Sequence, residues 1–257
     1  MSKIYTTEIT SDQLLSDNPL HQRLLKPYVA AKEWIKGDLL EVGCGEGRGI
    51  NYLKAGIKSY TAIDKIDTAI DQLRKRYPES KFIQSHLPPL PFGEAAFDTV
   101  VSFQVIEHIP DDRLFLKEIH RVLRTGGVAL ITTPNRPLSL SRNPWHIREY
   151  TAGELSRLAK TIFSNVEMMG IGGNEKVMSY HDRNRESVTR LMRWDILNLQ
   201  YRLPASLLRV PYDFMNRLNR TKLQKGSNDL VRGITHDDYI ITKDPEKALD
   251  LFLVVRK

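Results

Sequence analysis

The 257-residue sequence has one cysteine and lacks any long apolar run. The single cysteine, Cys44, cannot form an internal disulfide, and no cysteine–histidine group has the spacing of a zinc site. Without a run of about 18 apolar residues, a membrane-spanning helix is not expected. The first residues include acids and lack the apolar stretch of a signal peptide. We therefore expect a cytoplasmic protein whose core forms without disulfides or metals.

Acidic residues are scarce in one segment of the chain. Between Arg183 and Lys225 there are ten lysines and arginines but three acids, so this segment alone accounts for the net charge of +7. Any contact with an anionic partner is expected through this segment. Its apolar residues repeat at helical spacing, with Pro204 suited to a helix start and Pro211 expected to break or kink the helix.

From Leu39 to Gly173, short apolar runs alternate with longer stretches of helical periodicity. This alternation is typical of a mostly parallel sheet covered by helices. The predicted strands are Leu39–Gly43, Ser59–Asp64, Lys81–Ser85, Thr99–Phe103, Val128–Thr133, Asn165–Gly170 and Leu249–Val255. The predicted helices are Ser11–Ile35, Gly49–Ala55, Thr68–Tyr77, Asp111–Leu123 and Ala152–Phe163.

These patterns divide the chain into three parts. Residues 1–36 are predicted to form an N-terminal helical cap, and residues 37–173 together with 247–257 the α/β core. Residues 174–246 fit no strand–helix repeat. We predict that they form a basic helical insertion, either a lid or a subdomain on the substrate side.

A glycine loop after the first predicted strand is the most informative segment. Glycines such as Gly43 and Gly45 allow positive φ and a close approach of a ligand to the backbone. A dinucleotide-binding loop would have a third glycine where Arg48 stands, which disfavours a nicotinamide enzyme. Glu41 places a carboxylate beside the loop, which suits a ligand with an ammonium group. Asp64 ends the next strand, where a carboxylate can accept both ribose hydroxyls.

The ordered set of motifs resembles the class I S-adenosylmethionine-dependent methyltransferases, in particular the branch that includes the ubiquinone-type O-methyltransferases. After the glycine loop and Asp64, the matching segments are Leu90-Pro91-Phe92, Phe97-Asp98-Thr99-Val100-Val101, Gln104-Val105-Ile106-Glu107-His108-Ile109 and Arg121-Val122-Leu123-Arg124-Thr125-Gly126-Gly127. The likeness covers roughly residues 39–163 and the final strand. It implies a Rossmann-like α/β fold: a seven-stranded, mostly parallel sheet with an antiparallel last strand and helices on both faces.

The resemblance also implies roles for individual residues. Residues that would contact S-adenosylmethionine are Glu41, Gly43, Cys44, Gly45, Asp64, Lys65, Ile66, Ser85, His86, Leu87, Phe103 and Gln104. Of these, Cys44 fits equally well as a small buried thiol. His86 stands where the family commonly has an aspartate that contacts the adenine amino group, so a backbone group or the Ser85 hydroxyl would have to replace that contact.

The implied reaction is in-line displacement at the sulfonium methyl group, with S-adenosylhomocysteine as the product and no metal. If the acceptor is a hydroxyl, a base can remove its proton, and position makes His108 and His146 the candidates. His108 fits equally well as a residue satisfied by local backbone. Residues expected on the substrate side follow the fifth strand, and they are Asn135, Trp145, Glu149 and Tyr150.

The acceptor stays open at the level of the sequence. A small-molecule or lipid-linked acceptor ranks first, with peripheral membrane contact through residues 183–225. An RNA methyltransferase ranks second and a protein methyltransferase third. The basic segment also fits a helical cap with a solvated charged face, and the chain also fits a non-catalytic protein that binds S-adenosylmethionine. The sequence carries no signal for the oligomeric state.

Overall fold

A single eight-stranded sheet organises the chain, which a computed structural model describes over residues 14–193, 199–226 and 228–257. The strand order is β3-β2-β1-β4-β5-β8-β6-β7. The strands are β1 Asp38–Val42, β2 Ser59–Asp64, β3 Lys81–Gln84, β4 Phe97–Phe103, β5 Leu123–Pro134, β6 Asn165–Gly173, β7 Tyr239–Thr242 and β8 Asp250–Arg256.

Parallel pairing joins the first five strands, from β3 at the edge to β5. Strand β8 then runs antiparallel between β5 and β6. Residues 128–131 of β5 are fully buried, which explains their unbroken apolar sequence, because a strand covered by helices on both faces has no solvent side. The Rossmann-like α/β class and the antiparallel last strand are therefore confirmed.

The helices follow the predicted periodicity closely. They are α1 Asn18–Ala30, α2 Ile50–Leu53, α3 Asp67–Arg76, α4 Asp112–Val122, α5 Ala152–Lys160, α6 Glu175–Met192, α7 Leu199–Arg202, α8 Ala205–Gly226 and α9 Asn228–Gly233. Local chemistry sets some of their starts: the Asp111 carboxylate accepts a bond from the Leu114 amide at 2.8 Å, which caps α4. None of the helices in the described ranges combines the length and apolar character needed to cross a bilayer.

Two details of the last third of the chain differ from the sequence-based predictions. The sheet has one strand more than predicted, because Tyr239–Thr242 forms β7 at the edge beside β6. Of the break or kink expected at Pro211, the break is absent, since α8 continues past it to Gly226. A proline without an N–H removes one helical hydrogen bond, and the remaining bonds carry the helix across it.

The predicted three-part division stays a prediction. Residues 1–13, 194–198 and 227, which fall in the predicted cap and insertion, lie outside the described residues.

The order of the strands fixes where a ligand can bind. The chain steps from β1 outward to β2 and β3, and then returns to place β4 on the other side of β1. At this switch point the connections after β1 and β4 leave in opposite directions, which opens a crevice at their carboxyl ends. The glycine loop follows β1 and the segment from Gln104 to His108 follows β4, so both lie at this crevice.

Candidate functional site

The glycine loop after β1 combines one tightly packed glycine with one open glycine. Gly43 has φ of +83°, and a Cβ there would lie 2.3 Å from Val105 Cγ2. Gly45 has φ of +52°, and no atom lies within 4 Å of its hypothetical Cβ. Gly43 is thus required by packing, whereas the space over Gly45 is available to a ligand.

Glu41 lies under this loop with both carboxylate oxygens engaged. Tyr28 donates its hydroxyl to Oε1 at 2.8 Å, and the Tyr60 hydroxyl donates to Oε2. The side chain is 1% exposed, and burial raises its pKa to about 7 against the opposing effect of the two tyrosines. The two tyrosines and the burial of the side chain limit access by a ligand ammonium, and the predicted contact stays a prediction.

Asp64 ties the end of β2 to the glycine loop. Its Oδ2 accepts a hydrogen bond from the Gly45 amide at 2.8 Å, and its Oδ1 accepts one from the Ile66 amide at 2.9 Å. A carboxylate has about four lone-pair sites, so two remain for further donors such as ribose hydroxyls. The structure therefore brings together the loop and the acid that the sequence paired.

The other predicted cofactor residues surround this crevice in different states of burial. Cys44 is 3% exposed, and burial raises its pKa, which fits a structural thiol. Lys65 and His86 are exposed, and Ile66, Ser85 and Leu87 are half-buried. The Ser85 amide donates to the Asp64 carbonyl at 2.9 Å, which holds the ends of β2 and β3 together.

Phe103 and Gln104 form the other wall, at the end of β4. The Phe103 ring packs edge-on against Tyr28, with centroids 4.8 Å apart. Gln104 has φ of +59°, a left-handed conformation that is uncommon outside glycine. Its amide donates to the Thr132 carbonyl at 2.9 Å, which holds the backbone in this state. Such backbone strain clusters at functional sites, and here it coincides with the switch point.

Beyond Gln104, a short 3-10 turn and a loop from β5 bring two histidines together. The imidazoles of His108 and His146 meet edge to face, with centroids 4.9 Å apart. His108 Nδ1 lies 2.9 Å from the carbonyl oxygen of Trp145, and His146 Nδ1 lies 2.6 Å from Glu149 Oε1. The two histidines that the sequence suggested as bases are thus neighbours.

Sequence reasoning missed the acid beside them. Glu107 is 1% exposed, and burial raises its pKa to about 7. Thr133 donates its hydroxyl to Glu107 Oε2 at 3.0 Å, whereas Oε1 has no hydrogen-bond partner among the described residues. The available signal was a lone acid that follows the apolar pair Val105-Ile106, and buried carboxylates are rare unless they are paired.

Two of the predicted substrate-side residues make structural bonds. Asn135 is fully buried and donates from Nδ2 to the Ala248 carbonyl at 2.7 Å, which joins β5 to the segment before β8. The Tyr150 hydroxyl donates to Asp112 Oδ2 at 2.8 Å, at the start of α4. Both side chains are therefore engaged in packing the site's surroundings, and their predicted contacts with a substrate stay predictions.

Trp145 joins the substrate-side loop to helix α8. Its Nε1 donates to Asp213 Oδ1 at 3.1 Å, and the Arg209 guanidinium lies 4.2 Å from the centroid of its ring. A cation over the face of tryptophan is a favourable contact. Because the Trp145 carbonyl contacts His108, helix α8 is linked to the histidine pair through one residue.

The strand order, the glycine loop after β1 and the acid that ends β2 resemble those of class I, S-adenosylmethionine-dependent methyltransferase domains. Residues 40–131 match the family described as a methyltransferase domain. The fold resembles that of a crystal structure from Thermotoga maritima, described as an S-adenosylmethionine-dependent methyltransferase and possible histamine N-methyltransferase. The TM-score is 0.60 at 13% identity, covering 93% of this chain and 91% of that one.

Curated relatives match a shorter part of the chain. A probable S-adenosylmethionine-dependent methyltransferase of Mycobacterium tuberculosis is 39% identical over 157 residues, which is 59% of this chain and 57% of that protein. A phthiotriol/phenolphthiotriol dimycocerosates methyltransferase of the same species is 30% identical over 169 residues, 63% of this chain and 61% of the relative. The match thus spans little more than half of these relatives.

Proposed function

We propose that this protein is a methyltransferase that uses S-adenosylmethionine to methylate a lipid-linked acceptor presented at a membrane surface. In this proposal the backbone around Gly43 and Gly45 holds the methionine part of the donor, and Asp64 binds the ribose hydroxyls. The adenine lies by Ser85, His86 and Leu87. The sulfonium charge already activates the methyl group, so the protein mainly aligns donor and acceptor for in-line displacement.

Exposed apolar side chains on helix α8 support the membrane part of the proposal. The side chains of Leu207, Val210, Phe214 and Leu218 are 64%, 77%, 63% and 50% exposed. Their spacing of three, four and four residues puts them on one face of the helix. Exposed large apolar side chains in a contiguous row are unusual on soluble surfaces and are typical of membrane or partner contacts.

Basic residues in this part of the chain support an anionic membrane as the partner. Helices α7 and α8 carry six basic residues and one acid. Arg217 and Arg220 pair with the buried Asp17 and Arg209 lies over Trp145, so the remaining basic residues are Arg202, Lys222 and Lys225. An amphipathic helix binds at the interface through its apolar face and through attraction of its cations to anionic headgroups. The opposite face of α8 packs inward, where Asn219 is 7% exposed.

Helix α8 and the substrate-side loop lie together, which supports a lipid-linked acceptor. The Arg209 and Asp213 contacts with Trp145 hold the apolar row beside the loop that carries His146. A membrane-anchored acceptor would reach the crevice from this side. One relative in the comparisons is named for a lipid acceptor, the phthiotriol/phenolphthiotriol dimycocerosates methyltransferase.

Donor binding and membrane binding are tested separately. Calorimetric titration with S-adenosylmethionine and S-adenosylhomocysteine tests the donor site, and we expect micromolar binding. Flotation with vesicles of phosphatidylcholine, with and without phosphatidylglycerol, tests the surface. We expect flotation only with the anionic vesicles. Radiolabelled donor and a lipid extract then test transfer, and a labelled product in the organic phase is the expected result.

A double variant, Val210→Asp with Phe214→Asp, removes the centre of the apolar row. Losing two inserted side chains costs roughly 2–4 kcal/mol, so vesicle binding should fall more than tenfold. The control is Leu114→Asp, which places one such aspartate on a 40% exposed leucine of α4. Undiminished flotation of the double variant would contradict the membrane proposal, and preferential methylation of tRNA fragments would favour an RNA acceptor instead.

An alternative in which the protein transfers no methyl group has a specific observation behind it. A [4+2]-cyclase has the same fold, with a TM-score of 0.54 at 17% identity over 91% of this chain. Fold alone therefore does not fix the reaction. Donor binding without labelled product in any lipid, RNA or protein fraction would favour that alternative.

A further inference from the structure

We propose that Glu107, His108 and His146 form a binding site for a first-row divalent transition-metal ion such as Zn²⁺. One ligand atom from each of the three side chains lies within 4.8 Å of the ligand atoms of the other two. No metal-site spacing is visible along the chain, because His146 follows His108 by 38 positions and meets it only in the fold.

The buried carboxylate of Glu107 is the first independent observation. Its side chain is 1% exposed, and Oε1 accepts no hydrogen bond within the described part of the chain. A buried polar atom without a partner is costly, and a buried carboxylate is normally paired or bound to a metal. Thr133 fixes the other oxygen at 3.0 Å, so the unpartnered oxygen keeps a defined direction.

The orientation of the two imidazoles is the second independent observation. The Nδ1 atoms contact oxygens, the Trp145 carbonyl at 2.9 Å and Glu149 Oε1 at 2.6 Å. A carbonyl oxygen or carboxylate accepts, so Nδ1 of both rings carries a proton, and in the neutral imidazole the lone pair then lies on Nε2. Metal-binding histidines are usually held in this way, with the second nitrogen donating to a carboxylate or carbonyl.

Binding requires two small adjustments. In a tetrahedral zinc site with metal–ligand distances of about 2.0–2.2 Å the ligand atoms lie roughly 3.3–3.6 Å apart, so the side chains must close by up to about 1.5 Å. His146 Nε2 lies 2.8 Å from Asn143 Nδ2, and a metal ion would replace this hydrogen bond. The residues involved lie on the 3-10 turn after β4 and on the loop after β5, outside the strands of the sheet.

The donor set indicates the class of ion. Two imidazoles and one carboxylate match zinc and other first-row transition metals, whereas Mg²⁺ and Ca²⁺ prefer oxygen ligands. Three protein ligands leave a position open, and the site follows β4 at the switch point. A metal ion here could bind an oxygen of the acceptor and lower its pKa. This role would replace the base role predicted for the histidines, but ion binding itself does not depend on methyl transfer.

The test measures metal binding by the full-length protein without donor or acceptor. Protein treated with chelator and desalted is titrated with Zn²⁺ by calorimetry, and bound zinc is counted by mass spectrometry. We expect one Zn²⁺ per chain and much weaker binding of Mg²⁺. Substitution with Co²⁺ should give the visible d–d absorption of a nitrogen- and oxygen-ligated ion.

Glu107→Gln and His146→Asn should weaken Zn²⁺ binding at least about tenfold. The control His120→Gln removes a histidine of α4 that packs against Phe163, and it should bind as the wild type does. Thermal unfolding with chelator present checks that the variants fold, and Glu107→Gln keeps the carboxylate's shape if His146→Asn does not fold. No stoichiometric binding by the folded wild type, or binding unchanged in Glu107→Gln, would overturn the proposal.

Discussion

A comparison of two alanine variants in the glycine loop separates packing from ligand binding. Gly43 and Gly45 both have positive φ, so Gly43→Ala and Gly45→Ala both place a Cβ in a left-handed conformation. This strain costs roughly 1–2 kcal/mol for each. The surroundings differ, because the Cβ at position 43 would lie 2.3 Å from Val105 Cγ2, whereas at position 45 it meets nothing within 4 Å.

The magnitudes follow from that difference. Overpacking costs typically 1–3 kcal/mol, so Gly43→Ala should lose about 2–5 kcal/mol of unfolding free energy in total. Gly45→Ala should lose the strain alone, about 1–2 kcal/mol. In the double variant Gly43→Ala with Val105→Ala, the clash disappears. The coupling between positions 43 and 105 should then be favourable by about 1 kcal/mol or more.

Urea denaturation followed by circular dichroism measures the unfolding free energies of the wild type, the three single variants and the double variant, and calorimetry measures donor binding by each variant that folds. The space over Gly45 is where we propose that the donor lies. The Cβ of Gly45→Ala would occupy this space. The variant should therefore weaken S-adenosylmethionine binding in addition to its loss of unfolding free energy. Equal losses of stability in the two single variants, with no coupling to Val105→Ala, would refute the packing argument.

Three further predictions concern charged side chains. Burial raises the pKa of Glu41 from 4.5 to about 7, so its contribution to stability is complete below pH 4.5 and is lost as the pH rises through 7. As the pH rises from about 5 to 8, the unfolding free energy of Glu41→Gln should therefore increase relative to that of the wild type, by at most about 3 kcal/mol. Parallel pH profiles of the two proteins in urea denaturation would refute this. Arg23→Met should lower the free energy of unfolding by roughly 3 kcal/mol in the same assay, because Asp250 is 1% exposed and Arg23 Nε donates to it at 2.6 Å. A loss below about 1 kcal/mol would show that the ion pair adds little to stability. Asp64→Asn should weaken donor binding about ten- to hundredfold in calorimetry, and unchanged affinity would exclude a ribose contact.

The core of the fold was predictable because its strands carry their signal locally. A strand buried on both faces reads as an apolar run, and residues 128–131 show this most clearly. Strand β7 carries a weaker signal. It has four residues, and its exposed face includes Ile240, so a short edge strand in a polar segment resembles a turn. Helix α8 was predictable from its period, but the outward orientation of its apolar row depends on tertiary packing.

The site was predictable only where its residues follow strands in sequence. Gly43, Gly45 and Asp64 belong to that group, since parallel strands bring their carboxyl ends to one edge. The two tyrosines that hold Glu41 could not be predicted, because α1 and β2 approach β1 only in three dimensions. A motif therefore indicates which side chains lie near the crevice, and the folded structure determines which of their atoms have other partners.

The contacts of Trp145 connect the membrane proposal with the histidine site. Its ring lies under Arg209 of α8, and its carbonyl fixes the tautomer of His108. A membrane that binds α8 would act on the same residue that orients one of the proposed metal ligands. Coupling between two sites requires that a ligand at one site changes the binding free energy at the other, so proximity alone does not establish it.

Zn²⁺ titration of the wild type and of Trp145→Phe, with and without anionic vesicles, measures that coupling directly. Phenylalanine keeps the backbone carbonyl and an aromatic face for Arg209 but removes the bond to Asp213. If vesicles tighten Zn²⁺ binding in the wild type and not in this variant, the indole–Asp213 contact transmits the effect; equal affinities in all four measurements would mean that the membrane surface and the histidine site act independently.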